Sequence, residues 1–112
     1  MIYHSYPTLE ALREAFEYDE GKLLWKIKPS RKIALKTEAG SIRPCGRNYI
    51  YLNGSSYSRA RIVYAMVKDM SLLEMSKFVM IHLDGDTSND QVDNLKLITQ
   101  NQQARRRRKL KK

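Results

Sequence analysis

The residues of this sequence best suited to chemistry lie in the segment FVMIHLDGDTSNDQVDNLKLIT, Phe78 to Thr99. His82 ends an apolar run, and Asp84, Asp86 and Asn94 lie in the polar loop that follows it. An imidazole can accept a proton near neutral pH, and carboxylate and amide oxygens suit a hard cation such as Mg²⁺. His82 is therefore the proton acceptor of a hydrolytic site, the remnant of one, or a histidine with a structural role only.

Two strands and a helix are predicted around this loop. Apolar residues indicate strands at 78–83 and 95–98, separated by the loop 84–94. Thr99 with Gln102 three residues later has the form of a capping box, in which each side chain binds the other residue's backbone N–H. We therefore expect the final helix to begin immediately after Thr99.

The N-terminal half of the chain predicts two helices with a strand between them. Apolar residues at helical spacing indicate helices at 8–17 and 61–70. A strand is predicted at 22–27, with Trp25 in the core. Residues 29–40 form a basic connection.

A β-hairpin is the clearest local prediction. Asn53-Gly54 separates NYIYL from SSYSR, and Asn-Gly suits the two positive φ angles of a type I′ turn. A two-residue turn places three residues on the core face: Ile50, Leu52 and Tyr57. The opposite face carries Tyr49, Tyr51, Ser56 and Ser58, flanked by Arg43 and Arg47. This polar, aromatic face is suited to contacts with phosphates and base edges.

The net charge of +9 is unevenly distributed along the chain. Residues 1–21 carry a net −4 and residues 22–61 a net +9, whereas residues 69–93 carry a net −5. The segment 101–112 has seven basic residues and no acidic one. Because Lys and Arg release condensed counterions when they neutralise phosphates, this pattern favours a polyanion as the partner.

Length, cysteine content and hydropathy limit the class of protein. A chain of 112 residues is one domain, and its single Cys45 cannot form an internal disulfide. No apolar run approaches the roughly 20 residues of a membrane helix, and the N-terminus lacks an export signal. We expect a soluble, cytoplasmic protein whose partners include neither a membrane nor a small-molecule substrate.

Seven motifs occur along the chain in this order: LLWKI, AGSI, NYIYLNGSSY, ARIVY, IHLDGD, SNDQVDNLKLIT and QNQQARRRRK. In their order and spacing, from about Gly21 onward, the chain resembles the small HNH endonucleases of phages and mobile elements, which include homing-type enzymes. No single motif is specific to that family, but the collinear set is.

The resemblance implies an α+β fold in a single HNH-endonuclease-like domain, residues 1–112. The N-terminal helix, the sheet and a second helix are predicted within 8–68. A ββα-metal motif follows at 78–110, and its helix ends in a basic tail at 105–112. If the chain is phage-encoded, its compartment is the host cytoplasm.

The resemblance also implies catalytic roles. In that family two strands and a helix hold one divalent metal, Mg²⁺ or Mn²⁺, which polarises the scissile phosphate while a histidine accepts a proton from the attacking water. His82 falls on that general base. Asn94 falls on the asparagine that fixes the loop and orients the histidine.

Four other positions depart from the family's pattern. The aspartate that supplies one metal oxygen is Ile81, and the second protein ligand falls on Gln103, whose neutral amide is a weaker ligand. The histidine that opens the second helix falls on Ala60, and one asparagine of the loop is Asp90. We therefore expect no metal or other cofactor and an impaired or inactive enzyme. If a metal site persists, Asp84 and Gln103 are its candidate ligands.

The leading hypothesis is a protein that binds DNA, or RNA, without cutting it, and that acts as a regulator, a competitor or an inhibitor of a host system. Its predicted nucleic-acid contacts are Arg43, Arg47, Tyr49, Tyr51, Ser58, Arg59, Arg61, Arg105, Arg106, Arg107, Arg108 and Lys109. The alternative is an active, metal-dependent DNA endonuclease that nicks its target. A third hypothesis is a module that docks on a host polymerase, ribosome or defence complex through the acidic 69–93 surface.

Overall fold

The structure, a computed structural model, describes residues 6–27, 31, 34–52 and 54–110. It is a small α+β fold with antiparallel strand pairing. Its elements in chain order are α1 (Leu9–Ala15), β1 (Phe16–Asp19), β2 (Lys22–Trp25), β3 (Ser41–Ile42), β4 (Asn48–Leu52), β5 (Ser55–Ser58), α2 (Arg59–Lys68), α3 (Leu72–Met75), β6 (Val79–His82), a 3-10 turn (Val92–Asn94), β7 (Leu95–Ile98) and α4 (Gln100–Leu110).

The first helix is shorter than predicted. Thr8 caps it as expected, with its hydroxyl accepting from the Ala11 amide at 3.1 Å, but the helix ends at Ala15 rather than at residue 17. Phe16 instead begins β1, where it pairs with Trp25 of β2, and the two ring centroids are 4.7 Å apart. This tertiary aromatic contact outweighs the helical pattern of the local sequence.

The predicted hairpin is confirmed with its register. Leu52 pairs with Ser55 and Ile50 with Tyr57 across β4 and β5, and Gly54 in the turn has φ +86°. Ile50 and Leu52 are buried, whereas Tyr51 on the other face is 68% exposed. The strand β3 extends the hairpin into a three-stranded sheet.

Helix α2 crosses the centre of the fold and packs against α1, β2, β4 and β5. It begins at Arg59, two residues before the predicted start. The fully buried apolar side chains come from both halves of the chain: Leu12, Phe16, Leu23, Ile50, Ile62, Val63 and Met75. One core therefore holds the N-terminal elements and α2 together.

The C-terminal part has the predicted order of strand, loop, strand and helix. In the antiparallel pair, His82 of β6 lies opposite Leu95 of β7. The capping box is confirmed, because the Gln102 amide donates to the Thr99 hydroxyl at 3.1 Å and the Thr99 amide donates to the Gln102 side chain at 2.8 Å. Helix α4 accordingly begins at Gln100.

A glycine lets the β1–β2 turn approach the loop between β6 and β7. Gly21 has φ +91°, and a Cβ added there would lie 2.8 Å from the backbone nitrogen of Gln91. Nearby, the Val92 amide donates to the Tyr18 hydroxyl at 3.2 Å. The N-terminal strands therefore hold the far end of the loop that follows His82.

The predicted basic connection is described only in part, since residues 28–30 and 32–33 lie outside the described residues. Its end is anchored to β2, where the Ala39 amide donates to the Leu23 carbonyl at 2.7 Å. No helix in the described part of the chain combines the length and apolarity that crossing a bilayer requires.

Candidate functional site

His82 lies inside the protein, in a row of hydrogen-bonded polar side chains. Its Nε2 is 2.8 Å from Oδ1 of Asp90, and Oδ2 of Asp90 accepts from Nε of Arg59 at 2.7 Å. The exposed fractions of the three side chains are 2%, 1% and 6%. This buried triad joins β6, the following loop and the first residue of α2.

Arg59 holds the triad to two further segments. Its Nη2 donates to the Ser88 carbonyl at 3.0 Å, and its Nη1 lies 3.5 Å from the half-exposed carboxylate of Glu38. Arg59 was predicted to contact nucleic acid, but the structure places it in the interior, with its donors used by the protein. The Arg59 guanidinium therefore stabilises the loop between β6 and β7 and does not lie on the protein surface.

The triad determines which nitrogen of His82 carries a proton. Asp90 is paired with Arg59, and an ionised carboxylate can only accept hydrogen bonds. Nε2 of His82 therefore donates to Asp90. The other ring nitrogen, Nδ1, is buried and has no hydrogen-bond partner among the described residues. The nitrogen that could act as a base is thus enclosed by protein in this structure.

Asn94, to which the resemblance assigns the fixing of the loop and the orientation of the histidine, is hydrogen-bonded within the loop between β6 and β7. Its side-chain oxygen accepts from the Asp84 amide at 2.9 Å, and its Nδ2 donates to Asp84 Oδ1 and to the Asn89 carbonyl, each at 2.9 Å. The described hydrogen bond of the His82 side chain is made with Asp90 instead. Asn94 therefore acts on the loop, and Asp90 on the imidazole.

The two exposed aspartates of the loop are occupied by loop donors. Asp84 accepts from Asn89, from the Asp86 amide and from Asn94, and these hydrogen bonds hold the pKa of its carboxyl below the usual value. Hydrogen bonds from the hydroxyl and amide of Ser88 lower the pKa of Asp86 in the same way. Both carboxylates stabilise the turn that Gly85, with φ +80°, makes possible.

The described residues do not form a set of metal ligands. Ile81, at the position of the family's aspartate, is buried and has no lone pair, and Asp84 is engaged within the loop. Among the described residues, no group of three or more His, Cys, Asp and Glu side chains is placed to hold a metal ion. Gln103 does offer one buried amide oxygen with no partner among the described residues, but one neutral oxygen is a weak site for a hard cation.

The polar face of the three-stranded sheet matches the sequence prediction. Tyr49 lies opposite Ser58 and Tyr51 opposite Ser56. Arg43 crosses this face, with its guanidinium carbon 4.4 Å from the centroid of the Tyr49 ring and its Nη2 donating to the Ser56 hydroxyl at 2.8 Å. The aromatic and cationic groups are thus brought together on one surface, which we call the sheet face.

Two grooves meet on the sheet face at Tyr49. One, of about 470 Å³, lies between Trp25, Glu38, Arg43 and Tyr51. The other, of about 420 Å³, runs toward α2 and β6 and is lined by Tyr6, Arg47, Tyr49, Ser56, Tyr57, Ser58, Arg61, Val79 and Met80. The face is therefore concave on both sides of the tyrosine.

The arginines differ in whether they form an ion pair with a carboxylate. Arg13 pairs with Asp69 at 2.8 Å, and Arg59 pairs with Asp90. The described residues include every Asp and Glu of the chain, and none of them forms an ion pair with Arg43 or Arg47 of the sheet face or with Arg61 of the adjoining helix α2. Among the described residues, these three arginines are therefore cations without an ion-pair partner.

Helix α4 adds a second cationic surface. Arg105 and Arg106 are exposed on it, and no acidic residue occurs in the helix. The other predicted contacts, Arg107, Arg108 and Lys109, continue the same helix, but their side chains lie outside the described residues.

Much of the acidic 69–93 segment is already engaged. Asp90 is buried, and Asp69 pairs with Arg13. Asp84 and Asp86 accept hydrogen bonds within their own loop. The segment thus supplies intramolecular contacts, which weakens its case as a docking surface.

Comparison with protein family models, with curated proteins and with solved structures finds no match for this chain. By its fold and its site, the chain is a small α+β protein with a buried Arg-Asp-His triad and a cationic sheet face.

The triad is not predicted from the sequence. One signal is present: Asp90 stands where the resemblance places a neutral asparagine, and an additional carboxylate in a loop requires a cation if it is buried. Arg59 was predicted instead to contact nucleic acid. Its pairing with a residue 31 positions away becomes visible only in the fold.

We expect replacement of Asp84 by asparagine to weaken the pH dependence of stability in acid. The folded-state pKa of Asp84 is depressed, so its contribution is present above the unfolded value of about 4 and is lost as the pH falls through the lower folded value. Urea midpoints at pH 6 and pH 3 should therefore differ less in Asp84→Asn than in the wild type. Asp93→Asn is the control, since the Asp93 carboxylate makes no hydrogen bond with any described residue. Equal pH dependence in the wild type and Asp84→Asn would contradict the assignment.

Proposed function

We propose that this protein binds DNA and leaves it uncut. The observation that carries the proposal is the sheet face with the adjoining Arg61, where Arg43, Arg47 and Arg61 form no ion pair with a described carboxylate and Tyr51 is exposed. Cations without counter-ions in their own chain gain most from phosphates, because binding replaces condensed counterions on the nucleic acid.

The shape of the sheet face supports duplex DNA as the partner. A two-stranded antiparallel ribbon fits the major groove, where each base pair presents a distinct pattern of donors and acceptors. In the β4–β5 hairpin, Tyr51 and Ser56 lie side by side and point away from the core. In this arrangement Arg43 and Arg47 bind phosphates, while the hairpin residues read base edges.

The resemblance to HNH endonucleases adds a second line of support. The elements β6, β7 and α4 follow in the order of the family's ββα motif, and α4 carries the basic residues that would contact the phosphate backbone. We propose that the chain is a degenerate member of that family. A phage or mobile element would use it as a regulator, a competitor for a cleavage site or an inhibitor of a host system.

The state of His82 supports binding without cleavage. A general base must lie within hydrogen-bond reach of the attacking water, yet Nδ1 of His82 is enclosed and Nε2 is used by Asp90. Ile81 supplies no ligand for a cation. A base without its Lewis acid contributes only about 10²–10⁴ in rate, far below what hydrolysis of a phosphodiester needs.

Removing the sheet-face contacts should weaken DNA binding. We expect the double variant Arg43→Gln/Tyr51→Ser to lose about 1–3 kcal/mol of binding free energy for duplex DNA, as measured by gel shift at two salt concentrations. Lys96→Gln/Leu83→Ser is the matched control, because both residues are exposed and lie outside the sheet face. Equal losses of affinity in the two variants would show that DNA binds outside the sheet face. If the protein binds RNA more tightly than duplex DNA, RNA rather than DNA is its ligand.

A second candidate is a metal-dependent endonuclease, and one observation favours it. Nδ1 of His82 and Oε1 of Gln103 are both buried without a partner among the described residues, and the resemblance assigns these residues to the general base and a metal ligand. Supercoiled plasmid in Mg²⁺ or Mn²⁺ distinguishes the two functions. We expect no nicking by the wild type; nicking that disappears in His82→Ala would establish the endonuclease instead.

A further inference from the structure

The groove between the sheet face and α2 contains two arginines and no acidic residue. Arg47 and Arg61 line it together with Tyr49 and Ser58. Its volume of about 420 Å³ far exceeds the roughly 30 Å³ that a water molecule occupies in the liquid. A second groove of about 270 Å³ shares Ser58 and Arg61 with it, so the space continues toward α3.

Arg61 is held in place by neutral groups. Its Nη1 donates to the Met75 carbonyl and its Nη2 to the Phe78 carbonyl, each at 2.8 Å. These bonds fix the orientation of the guanidinium without cancelling its charge. Arg61 is half-buried and still cationic, since arginine stays protonated in proteins.

Arg47 adds a second charge to the same groove. Both arginines line the groove, and burial lowers the pKa of Arg61, Tyr6 raises it, and the positive charge of Arg47 lowers it. The described residues, which hold every Asp and Glu of the chain, provide no ion pair to either arginine. Two adjacent like charges are a cost to the fold that a bound anion removes.

We infer that this groove is a phosphate-binding pocket, in which Arg61 is the fixed cation and Arg47 closes over a phosphate of the nucleic-acid strand. Arginine suits the role of Arg47 because its planar fork of donors matches two phosphate oxygens, whereas Arg61, whose Nη1 and Nη2 already donate to carbonyls, supplies a fixed charge. The Ser58 hydroxyl makes no capping hydrogen bond to α2, so it is available as a further donor. That the phosphate belongs to a nucleic acid rests on the proposed function, whereas the pocket itself does not.

Inorganic phosphate is the first probe. We expect it to shift the Nε–H signals of Arg47 and Arg61 saturably in ¹H–¹⁵N spectra, against chloride at equal ionic strength. The apparent affinity should fall at least tenfold in Arg47→Gln and stay unchanged in Lys68→Gln, which removes the same charge at the exposed far end of α2. The proposed phosphate pocket would be wrong if the shifts do not saturate, or if Arg47→Gln and Lys68→Gln have the same apparent affinity for phosphate.

Oligonucleotides identify the source of the phosphate. If the pocket holds a backbone phosphate, Arg47→Gln weakens the binding of strands with and without a 5′-phosphate equally, by at least threefold. If the pocket holds a terminal phosphate, the substitution weakens the binding of the 5′-phosphorylated strand only. A saturable phosphate site in a protein that binds no nucleic acid would leave the pocket standing and reject the proposed function. Nucleic-acid binding that Arg47→Gln leaves unchanged would reject the pocket alone.

Discussion

Replacing Asp90 by alanine is expected to lower the free energy of unfolding by about 3–5 kcal/mol, because it removes the buried carboxylate that pairs most closely with a buried charge. Arg59 would retain its guanidinium at 6% exposure, with the neutral Ser88 carbonyl at 3.0 Å and the half-exposed Glu38 carboxylate at 3.5 Å as its remaining acceptors. His82 would lose its described hydrogen bond at the same time. A single domain has about 5–15 kcal/mol of stability in total, so this substitution removes a large share of it.

The measurement is urea denaturation followed by the fluorescence of Trp25, the single tryptophan of the chain, which is buried in the fold. Asp93→Ala is the matched control, an exposed aspartate three residues along the chain whose replacement should change stability by no more than about 0.5 kcal/mol. If Asp90→Ala does not fold, Asp90→Asn removes the charge with little change of shape. Equal stability of Asp90→Asn and the wild type would show that the triad contributes little.

A double-mutant cycle isolates the ion pair from the loss of packing. If Asp90 is stabilised by Arg59, the double variant Arg59→Ala/Asp90→Ala should cost less than the sum of the two single variants, by roughly 0.5–3 kcal/mol. Additive effects would show that each side chain stabilises the fold independently. The triad would then be a geometric coincidence of packing.

Local patterns in the sequence were sufficient for much of the fold. The hairpin at Asn53-Gly54 has its register determined by the length of the turn, and Gln102 with Thr99 determines the start of α4. Both are contacts between residues a few positions apart, so the sequence contains all that is needed to predict them. The end of α1 was placed two residues too late, because the pairing of Phe16 with Trp25 depends on tertiary packing.

The candidate site was less predictable for the same reason. The sequence predicts correctly that Tyr49 and Tyr51 share one face, since alternation along a strand fixes the face. It could not distinguish Arg59, which is buried against Asp90, from Arg61, which lines a groove two residues later. Both are arginines at the start of one helix, and only the positions of distant carboxylates separate their roles.

The second large effect is expected in the basic tail. Five successive basic residues, Arg105 to Lys109, turn through more than a full circle of α4 at 100° per residue, so they cannot all face one DNA duplex. About three of them should contact phosphates. Replacing all five with glutamine should then lower the slope of log affinity against log salt by about 2.7 units, at 0.9 per phosphate. Fluorescence anisotropy with duplex DNA between low and physiological salt measures that slope.

A variant with the same change in net charge provides the control. Replacing five exposed lysines outside α4 with glutamine, Lys22, Lys36, Lys68, Lys77 and Lys96, should change the slope by less than one unit. Helicity offers an independent readout, since Arg105 and Lys109 are like charges four residues apart and repel along the helix. A bound duplex relieves that repulsion, so circular dichroism should show α4 gaining helicity with DNA in the wild type but not in the glutamine variant. If both five-residue variants lose the same affinity, net charge rather than α4 governs binding, and the tail does not contact the duplex.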